Sequence, residues 1–158
     1  MIVDEAISII KEFEGCRLTV YTDAAGFKTI GYGHRLLPNE LYSAIPQDLA
    51  DKLLLEDIAE AESRTKAHLN ASMNVNQYSA LVSLVFNEGV SPLLGTLGEL
   101  INNGCLLDPL GIAKAADEFD RWVYVHINGR PTMLAGLVSR RTAEKKLFLT
   151  PIDIMIDQ

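Results

Sequence analysis

Apolar residues recur at Val3, Ile7 and Ile10, with Ala6 and Phe13 widening the stripe and Asp4, Glu5, Ser8 and Glu12 turned away from it. This spacing predicts a helix over residues 3–14, closed by Gly15. Glu14 is the one acid carried on the apolar face. From Arg17 to Asp23 the pattern changes to strand-like alternation. Ala24-Ala25-Gly26 supplies a turn, and Phe27 to His34 resumes as a second strand. Gly31 and Gly33 leave that strand's backbone open to close approach. A hairpin turning at residues 24–26 sets Asp23 and Thr29 near each other across the ladder.

Residues 35–45 read as a loop, and Pro46 opens a long helix to about Asn70. Its apolar stripe is thin (Leu49, Leu53, Leu54, Ile58, Ala61) and its remaining faces are charged, which suits a helix bridging two lobes through solvent. Residues 75–88 carry a wide stripe of Tyr78, Leu81, Val82, Val85 and Phe86, ended by Gly89. A helix from Ser91-Pro92 to about Asn103-Gly104 follows. Asp108-Pro109 caps and opens another, which buries Ile112, Ala116, Phe119 and Val123, with Trp122 in the core at its end. Asn128-Gly129-Arg130-Pro131 is a turn. A last helix runs through Leu137, Arg140, Arg141, Glu144, Leu147 and Phe148, followed by an extended or frayed tail from Thr150 to Gln158. The fold class is α+β, mostly α-helical.

Composition narrows the function. A chain of 158 residues that is 48% hydrophobic can bury a core of its own. A formal charge of −7 excludes nucleic acid as the main partner, because phosphate binding needs a basic face. Arg140, Arg141, Lys145 and Lys146 form the one local basic cluster, with Glu144 among them. Cys16 and Cys105 are expected as free thiols, and neither has metal-ligand spacing. The apolar runs are too short for a membrane span. Acids stand at the N-terminus where a signal peptide carries Lys or Arg. A protein made and kept in a cytoplasm is therefore expected.

Cleaving a glycosidic bond takes one carboxyl that donates a proton to the leaving oxygen and a second, ionised carboxylate that activates water or attacks the sugar. An apolar surface favours the protonated form and a wet turn the ionised one. Glu14 and Asp23 occupy such places, and the Thr29 hydroxyl could orient a water. By spacing alone this pairing is common.

The surrounding residues narrow it. Glu14-Gly15, Arg17-Leu18, Tyr21, Asp23, Gly26, Thr29-Ile30-Gly31 and Gly33-His34 together resemble the N-terminal signature of the T-even phage type of lysozyme, a glycoside hydrolase family. Asn76-Gln77-Tyr78-Ser79-Ala80-Leu81 through Phe86-Asn87-Glu88-Gly89 is similar to that family's central helix. Trp122, Gly136-Leu137-Val138, Arg140-Arg141, Glu144 and Leu147-Phe148 resemble its closing helices.

The resemblance implies a single two-lobed, lysozyme-like domain over residues 1–158. A small β-hairpin lobe (about residues 13–60) would be joined by the long helix to a helical lobe (about residues 70–150 plus helix 3–12). It implies inverting hydrolysis of the β-1,4 bond between N-acetylmuramic acid and N-acetylglucosamine in peptidoglycan. Glu14 would be the general acid, Asp23 the carboxylate that positions water, and Thr29 its partner. Arg140 would face Glu14, and Gly33, His34, Phe86 and Asn87 would line or support the cleft. No cofactor or metal is implied.

Peptidoglycan strands are the expected partner, and a monomer with no stable membrane insertion is expected. The resemblance implies storage in the host bacterial cytoplasm and release to the wall through a holin. Two features depart from many such lysozymes: the chain is acidic, and it starts directly at the first helix without a membrane-anchoring segment. A non-catalytic glycan-binding relative and a secreted or tail-associated muramidase are the alternatives.

Overall fold

In the computed structural model, which describes residues 1–152, the first helix, α1, runs Asp4–Glu14. The part of the expected tail at residues 153–158 lies outside the described residues. Gly15 ends α1 at φ 65°, and its N–H returns to the Lys11 carbonyl at 3.1 Å. The helix buries Ala6, Ile9 and Ile10, whereas Val3 and Ile7 are only half-buried. Ile9 lay outside the expected stripe. It is buried because α1 is held by two helices, α3 (Val75–Glu88) and α6 (Ala135–Leu149), and so covers a wider face than one contact would.

A three-stranded antiparallel sheet follows, in the order β1 (Arg17–Thr22), β2 (Lys28–Gly31), β3 (His34–Arg35). The single strand expected over Phe27 to His34 is therefore two. The chain reverses at Tyr32-Gly33, where Gly31 (φ 63°) and Gly33 (φ 88°) adopt the left-handed backbone that glycine tolerates without steric cost. The register also differs from the expected one. Thr29 lies opposite Tyr21, while Asp23 sits beyond the ladder and closes the turn, its N–H bonded to the Phe27 carbonyl at 2.9 Å. Residues 43–45 run along the outer edge of β1. The Val20 N–H donates to the Ser43 carbonyl (3.0 Å) and the Ile45 N–H to the Leu18 carbonyl (2.8 Å).

Ile30, Ile45, Ala50 and Leu53 form a small core under this sheet. A larger core gathers Ile10, Leu54, Ile58, Leu81, Leu84, Leu97, Ile101, Phe119, Leu147 and Phe148. The long helix α2 (Gln47–His68) contributes to both. Its stripe is thin, but Ala50, Leu53, Leu54, Ile58, Ala61 and Thr65 are all buried and α3 packs along it, so it does not cross open solvent. The Asn74 side chain caps α3 and Gln77 returns a bond to the Asn74 N–H, a reciprocal cap that satisfies two donors.

The helix expected over residues 91–104 is a 3-10 turn (Ser91–Leu94) and a short α4 (Thr96–Asn102). A Cβ at Gly98 would stand 1.9 Å from the Leu93 carbonyl oxygen, so only glycine lets the two pieces pack this tightly. α5 (Pro109–Asp117) ends earlier than expected, in a 3-10 turn over Glu118–Arg121. Trp122 is half-buried against the main core. Beyond it the expected turn proves to be the tip of a second hairpin, β4 (Tyr124–Ile127) and β5 (Arg130–Met133). Asn128 (φ 51°) and Gly129 (φ 75°) make the two-residue connection whose handedness suits twisted strands. Pro131, opposite His126, lies within β5. No helix among the described residues is long and apolar enough to cross a membrane.

His34 joins the sheet to α2. Its Nδ1 bonds both Asp57 oxygens (3.0 and 2.9 Å), and its Nε2 bonds Glu40 (3.0 Å). Carboxylates at both ring nitrogens favour the imidazolium, in which both nitrogens donate. Burial works against that charge, but Glu40 and Asp57 outweigh it and raise the His34 pKa. Burial raises Asp57, and Glu40 is held low by the Leu37 N–H and His34 against the effect of its own burial.

A raised histidine contributes stability that is complete below its unfolded value of about 6.5 and is lost as pH rises through the folded value. Of the three groups in this clamp, the histidine is the one whose unfolded value lies near neutral pH. Urea unfolding should therefore show stability falling with pH above about 6.5. His34→Asn should remove that slope.

Candidate active site

Glu14, at the last turn of α1, shares a cleft of about 500 Å³ with Cys16, Arg17, Tyr21, Asp23 and Gly31. Glu14 is half-buried and its Oε1 accepts from Arg140 Nη1 at 2.6 Å. Gly33 faces the other oxygen: a Cβ built there would stand 3.4 Å from Glu14 Oε2, so the glycine leaves that oxygen room.

Arg140 is buried in α6 and held by more than Glu14. Its Nε donates to Glu144 Oε1 (3.1 Å) and its Nη2 reaches the Ser83 carbonyl (3.5 Å). Glu144 is fully buried and also accepts from Ser83 Oγ (2.7 Å) and Arg141 Nη1 (2.5 Å). Arg141, equally buried, reaches on to Asn87 and Glu88. Burial pushes the Glu144 carboxyl up and the two guanidiniums oppose it; burial likewise raises Glu88. The local basic cluster is thus divided between the interior and the surface. Two of its cations are inside, and Lys145 is paired with Asp117 (2.8 Å) and Asp120 (2.7 Å).

On the opposite wall, Asp23 Oδ1 accepts the N–H groups of Ala25 (2.9 Å) and Phe27 (2.8 Å). The Phe27 bond leads in holding Asp23 below the usual carboxylate range, with Ala25 and the Arg35 charge assisting against burial. Thr29, 2% exposed, donates its hydroxyl to the Phe27 carbonyl at 3.0 Å. The Phe27 backbone thus links Asp23 to Thr29, although the two are not cross-strand partners. Arg17 stacks on Tyr21 at 4.8 Å. Burial raises the Tyr21 phenol, and both Glu14 and Asp23 lie within electrostatic reach of it.

His34 sits in the clamp with Asp57 and Glu40. Phe86 is half-buried against the main core, and Asn87 accepts from Arg141. Cys16 and Cys105 are free thiols, Cys16 exposed at the cleft. Reading the sequence alone overlooks the partners Glu144, Ser83, Asp57 and Arg35. For Glu144 a signal existed: Arg140, Arg141 and Glu144 continue into Leu147 and Phe148 at helical spacing, which places charges where a core stripe belongs.

Residues 11–144 match the family described as Phage lysozyme. The endolysin of Acyrthosiphon pisum secondary endosymbiont phage 1 is 37% identical over 148 residues, 93% of this chain and 97% of that protein. The endolysin of Bacillus phage B103 is 34% identical over 91% of this chain, which spans 52% of that longer relative. Among solved structures, the muramidase domain of SpmX from Asticaccaulis excentricus superposes with a TM-score of 0.83 at 31% identity, covering 96% of this chain and 99% of that one.

The Arg140–Glu144 network has a testable energetic signature. Removing one partner strands buried charge and costs about 3–5 kcal/mol, whereas an exposed pair contributes below about 1 kcal/mol. Urea denaturation should show Glu144→Ala losing stability on the larger scale and Lys145→Ala on the smaller. Equal losses would mean that the buried network does not carry α6.

Proposed function

The chain belongs to the phage lysozyme family and is a glycoside hydrolase of that kind, and we propose that it cleaves the β-1,4 bond between N-acetylmuramic acid and N-acetylglucosamine of peptidoglycan with inversion. The observation that carries this reading is the unequal treatment of two carboxyls in one cleft. Glu14 is tied to a buried arginine through one oxygen, and Asp23 is wrapped by the backbone donors of a turn.

Glu14 is the general acid. Its Oε2 faces the space above Gly33 and gives the proton to the leaving oxygen. As the proton departs, negative charge grows on Glu14, and Arg140 at 2.6 Å is already placed to receive it. Asp23 is the base. It is ionised across the working range and takes one proton of the attacking water. The Thr29 proton is committed to the Phe27 carbonyl, so its oxygen is left to accept the water's other hydrogen. Two acceptors fix the water with a lone pair aimed at the anomeric carbon, on the face opposite Glu14. The protein serves as an endolysin: a monomer held in the host cytoplasm and admitted to the wall by a holin.

Release of reducing ends from purified peptidoglycan should fall about a thousandfold in Glu14→Gln and in Asp23→Asn, with melting temperatures close to wild type. Thr29→Val should lose about tenfold. Proton NMR of the first product should show the α-anomer. A β-anomer would replace the inverting course with a covalent one, and full activity in Glu14→Gln would remove the acid from this scheme.

A further inference from the structure

β3 is two residues long and sends His34 inward and Arg35 outward. Arg35 stands opposite Thr29 in the ladder. Its guanidinium lies over the Phe27 ring, 4.2 Å from the centroid, and its Nη2 is 3.3 Å from Asp23 Oδ2. Phe27 therefore serves the site three ways. Its N–H holds Asp23 Oδ1, its carbonyl receives the Asp23 N–H and the Thr29 hydroxyl, and its ring supports Arg35. An isolated exposed ion pair has little effect because both side chains must be ordered to form it. Here the ring pre-orders the guanidinium and the turn pre-orders the carboxylate, so the contact orders little that is not already fixed.

We propose that Arg35 is a positioning residue for Asp23, fixing Oδ2 so that its open side faces the attacking water. The inference rests on the reading of Asp23 as the group that activates water. With Oδ1 engaged by two backbone donors, Oδ2 is the oxygen that meets the water, and Arg35 sets the plane in which it does so. Among the described residues, the charged or titratable groups near Asp23 are Arg35 from β3 and Tyr21 from β1, with Glu14, Cys16 and Arg17 on the same cleft and Arg17 stacked on Tyr21. Arg35 is the cation paired with Asp23. Its charge favours the ionised base and extends activity toward acid pH.

The test measures kcat and KM for reducing-end release from purified peptidoglycan, from acid to neutral pH. It compares wild type, Arg35→Met, Arg35→Lys and Asp23→Asn. Methionine keeps an apolar chain over Phe27 without the charge, and lysine keeps the charge without the planar fork. Arg35 is 57% exposed, so neither change disturbs a core, and melting temperature checks this. Arg35→Met should lower kcat about three- to tenfold with KM within about twofold of wild type, and should move the acid limb up by about half a pH unit. Arg35→Lys should restore the limb and only part of kcat.

An unmoved limb with unchanged kcat overturns the proposal. So does a rise in KM alone, which would make Arg35 a substrate contact, or a faster enzyme, which would make it a competitor for Asp23. Full activity in Asp23→Asn would instead remove the reading on which the proposal rests. Loss in Asp23→Asn with a silent Arg35→Met removes the Arg35 inference only.

Discussion

Glu144 is an acid with no access to water, and the rest of the site depends on its being there. Moving a carboxylate into a protein interior costs several kcal/mol unless opposite charge and hydrogen bonds meet it on all sides. Arg140, Arg141 and Ser83 do so, and each comes with a second attachment. Through Arg140 the network reaches the end of α1 and Glu14; through Arg141 it reaches Asn87 and Glu88 at the end of α3. Three helices are thus joined at the point where the cleft needs a carboxyl of fixed position. Greasy side chains of the same volume could hold the helices together, but they could not set a positive charge against the Glu14 carboxyl.

The opposite wall follows a different physical rule. Asp23 is held by the backbone of a tight turn, where N–H groups converge because the chain reverses. One wall of the cleft is rigid through buried electrostatics and the other through local chain geometry. The two carboxyls can therefore be tuned separately: Glu14 by what lies beneath α1 and α6, Asp23 by the turn and the strand beside it. His34, clamped between Asp57 and Glu40, fixes the sheet on α2 without entering the cleft.

The helices were legible in the sequence because their apolar positions repeat at the helical period and Gly15 and Gly89 mark their ends. Glu14, Asp23 and Thr29 stood out as candidates only through the glycine framework around them, since an acid pair at that interval is common. Three things were not legible. Gly31 and Gly33 were recognised as open backbone, but periodicity cannot say whether such glycines loosen a strand or turn it, and here they turn it. The second hairpin was hidden because β4 and β5 are largely exposed and carry no apolar alternation, although Asn128-Gly129 is a strong turn signal. The third is how Arg140 and Arg141 are held: the resemblance set Arg140 facing Glu14, but Ser83 and Glu88, which meet the two guanidiniums from α3, lie far from them in sequence.

The strip formed by residues 43–45 along β1 bears on how copies of this chain meet one another. An unpaired strand edge is a template on which another chain can add a strand. On β1 that edge is occupied by Ser43, Ala44 and Ile45 of the same chain. The far edge, β3, is too short to seat a strand. In the second hairpin, Pro131 has no N–H to offer a newcomer. At these three edges the obstacle to an incoming strand is therefore written into the backbone itself.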